Sequence, residues 1–314
     1  MNASNTVKQR NIFTRMTACA VLLQLGLSTA TLSLPTIAAA AVSEQSQSAC
    51  TCFEVSVVGQ GPAVLLIPGL ASSADVWQST VEALKDNYQL HIFTLAGFAG
   101  VKPLSAEAWG QSYLVTQQQA ILDYIQRQQL TKPVVIGHSL GGYLALALAS
   151  SAPEQIGGAI NVDGLPALGV LFAESAARNT DQPQAAPASF DPMLMAKGMA
   201  NNESWHKRIV KDMFRSDGMT SGRVMGELMQ ADLRPQLAAL RVPVLTLGAL
   251  QNGAPYSTPQ QVQANYEKQL ANAPTQFHHF AFAPESKHFI MADAPAWLNQ
   301  QISQFLQVHA VSGE

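Results

Sequence analysis

Val134-Val135-Ile136-Gly137-His138-Ser139-Leu140-Gly141-Gly142, running on into Tyr143-Leu144-Ala145-Leu146-Ala147-Leu148-Ala149, decides how the rest of the chain is read. The β-branched run predicts a buried strand, and the small-residue run predicts a helix packed closely against it. Between them stands Gly-x-Ser-x-Gly, and this pentapeptide carries chemical meaning only in that strand–turn–helix setting. A turn so sharp holds Ser139 in a strained conformation, and Gly137 and Gly141 leave room where a side chain would clash. The helix that starts behind Ser139 aims its first N–H groups at any anion formed there. Ser139 is the candidate nucleophile.

The pattern of that stretch recurs on both sides of it. Upstream, Phe53-Glu54-Val55-Ser56-Val57 alternates as a half-exposed strand, and Ala63-Val64-Leu65-Leu66-Ile67 is a continuous apolar run suited to a strand covered on both faces. The latter ends in Pro68-Gly69-Leu70, and Ser72 or Ser73 is placed to cap a helix carrying Val76, Trp77, Val81 and Leu84. Leu90–Leu95 is the next strand, closed by Gly97-Phe98-Ala99-Gly100, and one long amphipathic helix is expected from about Ala106 to Leu130. Downstream, strands are expected at 158–162, 242–248 and 276–282, and a final helix from Pro295 to about Leu306 is expected to bury Trp297, Ile302 and Phe305. Strands and helices in strict alternation imply an α/β fold with a mostly parallel central sheet flanked by helices.

Alternation lapses between Gly164 and about Pro235. Prolines at 183, 187 and 192 are followed by helical stretches that hold seven of the ten methionines: Met193, Met195, Met199, Met213, Met219, Met225 and Met229. The segment reads as an inserted helical cap, because methionine packs adaptably against apolar ligands; ordinary helix core is the competing reading for each methionine. The expected organisation is therefore a signal segment 1–40, a flexible lead-in 41–52, a first core part 53–164, a cap 165–235 and a second core part 236–310.

The chain has 314 residues, 47% hydrophobic and 12% charged, enough for one large domain with a substantial core. Lys8, Arg10 and Arg15 precede an apolar run from Met16 to Leu34 and then Ala38-Ala39-Ala40-Ala41. That order is a secretory signal pattern, with cleavage expected near Ala40. Polar Gln24, Ser28 and Thr31 make the run a weak membrane span, so no stable membrane insertion is expected after cleavage. The product is expected in the periplasm or the medium. Cleavage removes three cations and no acid, leaving 15 Lys and Arg against 21 Asp and Glu, a net charge of −6. A mildly acidic chain without a basic run argues against nucleic acid as a partner. Cys50 and Cys52 remain after cleavage, a pair able to oxidise in an exporting compartment but not a metal site.

A serine needs a base, and seven histidines are available. His91, His278 and His279 fall inside predicted strands, His138 shares the turn with Ser139 and is expected to point away from it, and His206 and His309 are expected to be solvated. His288 differs. It lies in Pro284-Glu285-Ser286-Lys287-His288-Phe289, the loop between the last strand and the last helix, where a base can reach the carboxyl edge of a parallel sheet.

With the elbow, the Leu-Ile-Pro-Gly-Leu segment at 66–70 and Lys-His-Phe at 287–289 in place, residues 53–308 resemble the α/β-hydrolase fold family, most of all its small serine carboxylesterase-type members akin to pimeloyl-carrier-protein methyl esterases. The resemblance implies the chain order Ser, acid, His and an oxyanion hole made by the backbone N–H groups of Leu140 and Leu70. The family usually carries His-Gly where this chain has Pro68-Gly69, yet the donor is a backbone group. The family often places its acid after the strand ending at Gly248. Here that segment is Gly248-Ala249-Leu250-Gln251-Asn252, without a carboxylate. Asp163, in Asn161-Val162-Asp163-Gly164 at the end of the preceding strand, is the candidate acid; Asp-Gly is also an ordinary turn. Asp232 and Asp293 are poorer candidates, the latter because it can simply cap a helix.

The function this implies is an exported serine esterase that acts on a small-molecule ester with an apolar portion, without cofactor or metal. Thioesters, lactones, amides and C–C bonds are other substrates of the same triad, and a non-catalytic ligand-binding homologue is the competing class.

Overall fold

In the computed structural model the described residues are 51–172, 191–253 and 257–310. The expected signal segment, the lead-in before Thr51 and residues 173–190 of the expected cap, with Pro183 and Pro187, lie outside them. Seven strands form one sheet: β1 (Phe53–Val58), β2 (Ala63–Ile67), β3 (Gln89–Leu95), β4 (Val134–His138), β5 (Gly158–Val162), β6 (Val244–Ala249) and β7 (His278–Ala283), in the order β1-β3-β2-β4-β5-β6-β7. Only β1 is antiparallel. The α/β reading therefore holds, with strand ends displaced from the expected ones by two residues or fewer.

Strand pleating sorts the apolar runs into two cores. On β2, Leu65 and Ile67 face one cluster with Phe93, Leu95 and Val135, while Val64 and Leu66 face the other with Leu90, Ile92, Val134 and Ile136. The first face is covered by α3 (Tyr113–Arg127) and α4 (Leu140–Ser151), the second by α1 (Gln78–Leu84) and the closing helix α10 (Pro295–His309). On α10 the buried side chains are Leu298, Ile302 and Leu306; Trp297 and Phe305, expected inside, are half-buried one position off that stripe.

The expected helix 106–130 is two helices, α2 (Ala106–Trp109) and α3, separated by Gly110-Gln111-Ser112. The start of α3 is held from a distance as well as by its own Ser112. Glu227 accepts from Tyr113 N (2.9 Å), Leu114 N (3.1 Å) and Ser112 Oγ (2.8 Å), so a carboxylate from the inserted region caps α3. Burial pushes this carboxyl up, but those donors together with Arg223 outweigh it and hold it below the usual range. A lowered folded value contributes stability above the unfolded carboxylate pKa near 4.3, and that contribution is lost as pH falls through the folded value. Glu227→Gln is therefore expected to cost about 1 kcal/mol at pH 7 in urea unfolding, with variant and parent converging below pH 4.

Between β5 and β6 the chain inserts α5 (Pro192–Met199), α6 (Glu203–Arg215) and α7 (Gly218–Gln230). None of its seven methionines is buried; Met195, Met219, Met225 and Met229 are exposed, whereas Met199 and Met213 pack, partly buried, against the second core. Ser73 does not cap the helical turn after β2 either. Its Oγ (2.6 Å) and N (2.9 Å) both donate to Asp212 of α6, a charge-assisted pair that draws the hydroxyl away from the helix start.

Successive connections leave β2 in opposite directions, so β3 lies on one side of it and β4 on the other. A parallel sheet opens a crevice at the carboxyl ends of strands where the winding reverses. Here that point is Ile67 beside Gly137, and the loops leaving it are Pro68–Leu70 and Ser139–Leu140.

Candidate active site

Ser139 stands at that crevice, half-buried, with φ 54° and ψ −113°. A serine pays of order 1–3 kcal/mol to sit there, and the surroundings hold it. Its N–H donates to Val162 O at 2.9 Å, and a β-carbon on Gly137 would lie 1.9 Å from Gly141 O. One on Gly141 would lie 2.2 Å from Ile67 O. Both glycines of the pentapeptide are therefore steric requirements of the turn. Ser139 makes no side-chain cap to α4, which leaves its hydroxyl outside the helix's own bonding.

The loop after β2 passes over it: a β-carbon on Gly69 would sit 3.1 Å from Ser139 Cβ. That loop delivers Leu70, while Leu140 opens α4, where an N–H has no carbonyl four residues earlier in the helix.

Asp163 follows β5 at the same sheet edge, also with positive φ (53°). Asn161 builds its turn, since its carboxamide accepts from Gly164 N and donates to Gly164 O, both at 2.9 Å. The Asp163 side chain is buried and meets four donors. Oδ1 accepts from Ala249 N and Tyr266 Oη, both at 2.7 Å, and Oδ2 from Asn252 Nδ2 at 2.8 Å and His288 Nδ1 at 2.6 Å. Four donors fill the lone-pair directions of a carboxylate. Because the carboxylate only accepts here, Nδ1 of His288 carries the hydrogen, and its Nε2 is left with the basic lone pair.

The sequence thus places Ser139, Asp163 and His288 at the ends of β4, β5 and β7, and the structure puts Asp163 and His288 in direct contact. Asn252, after β6, donates to Asp163. Tyr266, on α8 (Pro259–Gln269), was invisible in the sequence, where nothing distinguishes it from a core tyrosine; burial and the Asp163 charge hold its hydroxyl well above the ordinary phenol value.

His138 donates from Nε2 to His288 O at 3.0 Å and packs its ring 4.7 Å from that of His288 and 4.8 Å from Phe289. Full burial, then the neighbouring His288 ring, push its pKa well below the usual imidazole value, so it is a neutral buttress under the loop that carries His288. His206, expected in solvent, is buried and bonded to Ala200 O (2.9 Å), since α6 turns that side toward the core. His309 is half-buried against Phe305, rings 4.6 Å apart. Trp205 lies 6.3 Å from Phe289, Phe98 is core beside Tyr113, and Trp109 lies under Arg223 at 4.6 Å.

Among the described residues no three His, Cys, Asp or Glu side chains gather as a metal site, and no helix is long and apolar enough to cross a membrane. Cys52 is buried and disulfide-bonded, while Cys50 lies outside the described residues.

Curated relatives include a pimeloyl-[acyl-carrier protein] methyl ester esterase from Vibrio campbellii, 27% identical over 260 residues, covering 74% of this chain and 95% of that one. Among solved structures, a hydrolase from Pseudomonas aeruginosa superposes with a TM-score of 0.64 at 16% identity, over 81% of this chain and 94% of the other. An enol-lactonase from Burkholderia xenovorans gives 0.63 at 16% identity, over 81% and 96%. At such identities the superpositions speak for the fold alone. The profile of the Alpha/beta hydrolase family matches residues 64–301, which run from β2 into the first half of α10, and with this sheet the chain belongs to that family.

Proposed function

We propose that the protein is an exported serine hydrolase that cleaves carboxylic esters through an acyl-enzyme on Ser139. The observation that carries this reading is the 2.6 Å contact between His288 Nδ1 and the buried Asp163, held at the same sheet edge as the strained serine. In the first half-reaction Ser139 Oγ attacks the ester carbonyl carbon and its proton passes to His288 Nε2. The carbonyl oxygen becomes an oxyanion, stabilised by the Leu70 and Leu140 N–H groups, while Asp163 stabilises the imidazolium. The C–O bond breaks, the alcohol leaves with the proton from His288, and water then repeats the sequence to release the acid. The name of the Vibrio relative adds support for a methyl ester as substrate.

The competing, non-catalytic reading rested on the missing carboxylate at 251–252, and it loses that support because Asp163 meets His288. Labelling of the folded protein by a fluorophosphonate, read by intact mass and peptide mapping, tests the proposal. One adduct on Ser139 is expected, and no adduct on folded protein counts against it. Export rests on the leader sequence, and N-terminal sequencing of the mature product near Ala40 tests it separately.

A further inference from the structure

Asp293 was expected to be a simple helix cap, but its bonds lie elsewhere. It is the last residue of the short helix α9 (Ile290–Asp293), where a carboxylate faces the carbonyl end of its own helix and gains nothing from it. Oδ1 instead accepts from Asn201 N (2.8 Å) and Asn202 N (2.9 Å), in the connection between α5 and α6. Oδ2 accepts from Lys287 N (2.9 Å), the residue before His288. One carboxylate therefore joins the inserted helices to the loop that carries the base.

Five further bonds run along the same seam. Asn201 Nδ2 donates to Glu285 O (2.9 Å) and to Gln251 Oε1 (3.1 Å), and Asn202 Nδ2 donates to Ala292 O (3.0 Å). Phe289 N donates to Met199 O (2.9 Å), and Lys287 Nζ to Lys197 O (2.7 Å). The segment 197–202 thus holds the chain on both sides of His288. It is not held by α6 for that helix's sake, because the side chain of Asn202 already caps α6 at Ser204 N (3.1 Å). A cavity of about 480 Å³ opens onto the seam, lined by Asn201, Asn202, Gln251, Glu285, Ala292 and Asp293. Water can therefore reach these bonds and replace them, as it cannot in a closed core.

We infer that Asp293 is a positioning residue: through Asn201 and Asn202 it locks the His288 loop to the inserted helices, so that a movement of those helices displaces the base. This rests on the proposed role of His288. If the seam opens, the His288 loop shifts while the carboxylate of Asp163 stays in place, since Asp163 is held by β6 and α8.

The test is steady-state hydrolysis of p-nitrophenyl butyrate by Asp293→Ala, with hydrogen exchange read by mass spectrometry. A misplacement of about 1 Å predicts a kcat lower by roughly 100-fold with KM within about threefold. The rate of Ser139 modification by fluorophosphonate should fall with kcat, and exchange should rise together in peptides covering 197–204 and 284–290 but not in β4 or β5. A folded Asp293→Ala with parental kcat, or faster exchange in 197–204 alone, overturns the inference, and a purely stabilising role would lower Tm without moving kcat. If Asp293→Ala does not fold, Asp293→Asn keeps one acceptor oxygen, which cannot serve both the Asn201 and Asn202 N–H pair and Lys287 N, and is expected to lower kcat roughly 10-fold with the same paired exchange; parental values in both overturn the inference. His288→Ala separates the two ideas. Parental activity in that variant removes the base itself, whereas an inactive His288→Ala beside a fully active Asp293→Ala removes only the lock.

Discussion

Ser139→Ala is expected to lower kcat/KM for an aryl ester by about a million-fold while leaving the fold intact. The substitution deletes one oxygen and keeps the β-carbon, so the strained backbone at φ 54° is no worse for alanine than for serine. The bonds that hold the turn, from Ser139 N to Val162 O and from Tyr143 N to Ser139 O, both 2.9 Å, are backbone bonds and survive. Far-UV circular dichroism and Tm should therefore match the parent within a few degrees. What remains should be the roughly thousand-fold advantage over water that an oxyanion hole and substrate binding supply without a nucleophile. The measurement is turnover of p-nitrophenyl butyrate at high enzyme concentration, with active-site titration of the parent to exclude contaminating activity. A folded variant within ten-fold of the parent would remove Ser139 from the mechanism and leave the Asp163–His288 pair without its nucleophile.

That pair shows where the sequence was readable and where it was not. The elbow could be read because its requirements are local: Gly137 and Gly141 are glycines because carbonyls stand 1.9 and 2.2 Å from where their β-carbons would be, and both clashes lie within the turn or the adjacent strand. Strand periodicity placed Ser139, Asp163 and His288 at strand ends because a parallel sheet puts every carboxyl end on one edge. The continuous apolar run of β2 marked a strand covered on both faces, and the two cores lie on those faces. Features set by tertiary meetings left no such trace. The capping of α3 by Glu227, more than a hundred residues later, is one of them, though the break itself falls at Gly110, with Ser112 as a local cap. Ser73 looks like a cap until Asp212 arrives from α6. Tyr266 reads as a core aromatic, and its hydroxyl matters only because α8 brings it to Asp163. Asp293 has the position of a cap residue in the sequence, and its actual partners belong to an inserted segment ninety residues earlier. Period and turn chemistry encode what a residue does within its own element, and they are silent on which loop another element will touch.

Asp163→Asn is expected to lower kcat about ten-thousand-fold, and the reason lies in which donors around it can move. Ala249 N is a backbone donor fixed by β6, 2.7 Å from Oδ1, so a carboxamide must turn its single oxygen toward it. The amide nitrogen then faces the position now shared by Asn252 Nδ2 and His288 Nδ1. His288 can answer only by accepting at Nδ1 and carrying its hydrogen on Nε2, the tautomer that cannot take a proton from Ser139. Loss of negative charge adds to this, since the imidazolium formed during attack has no counter-ion. The double variant Asp163→Asn with Asn252→Asp puts a carboxylate back within the same cluster, where the amide nitrogen at 163 can donate to it. The expected result is a partial recovery of roughly 10- to 100-fold over the single variant, read as kcat for p-nitrophenyl butyrate across pH 5–9. Asn252→Asp alone should impair the enzyme, because two carboxylates in contact cannot both stay ionised without cost. Recovery in the double variant would mean that His288 needs a negative charge at this corner of the sheet and accepts it from the end of either β5 or β6. Loss without recovery would tie the acid to β5, where the Asn161 turn and the Tyr266 hydroxyl hold the oxygens at the one angle His288 can use.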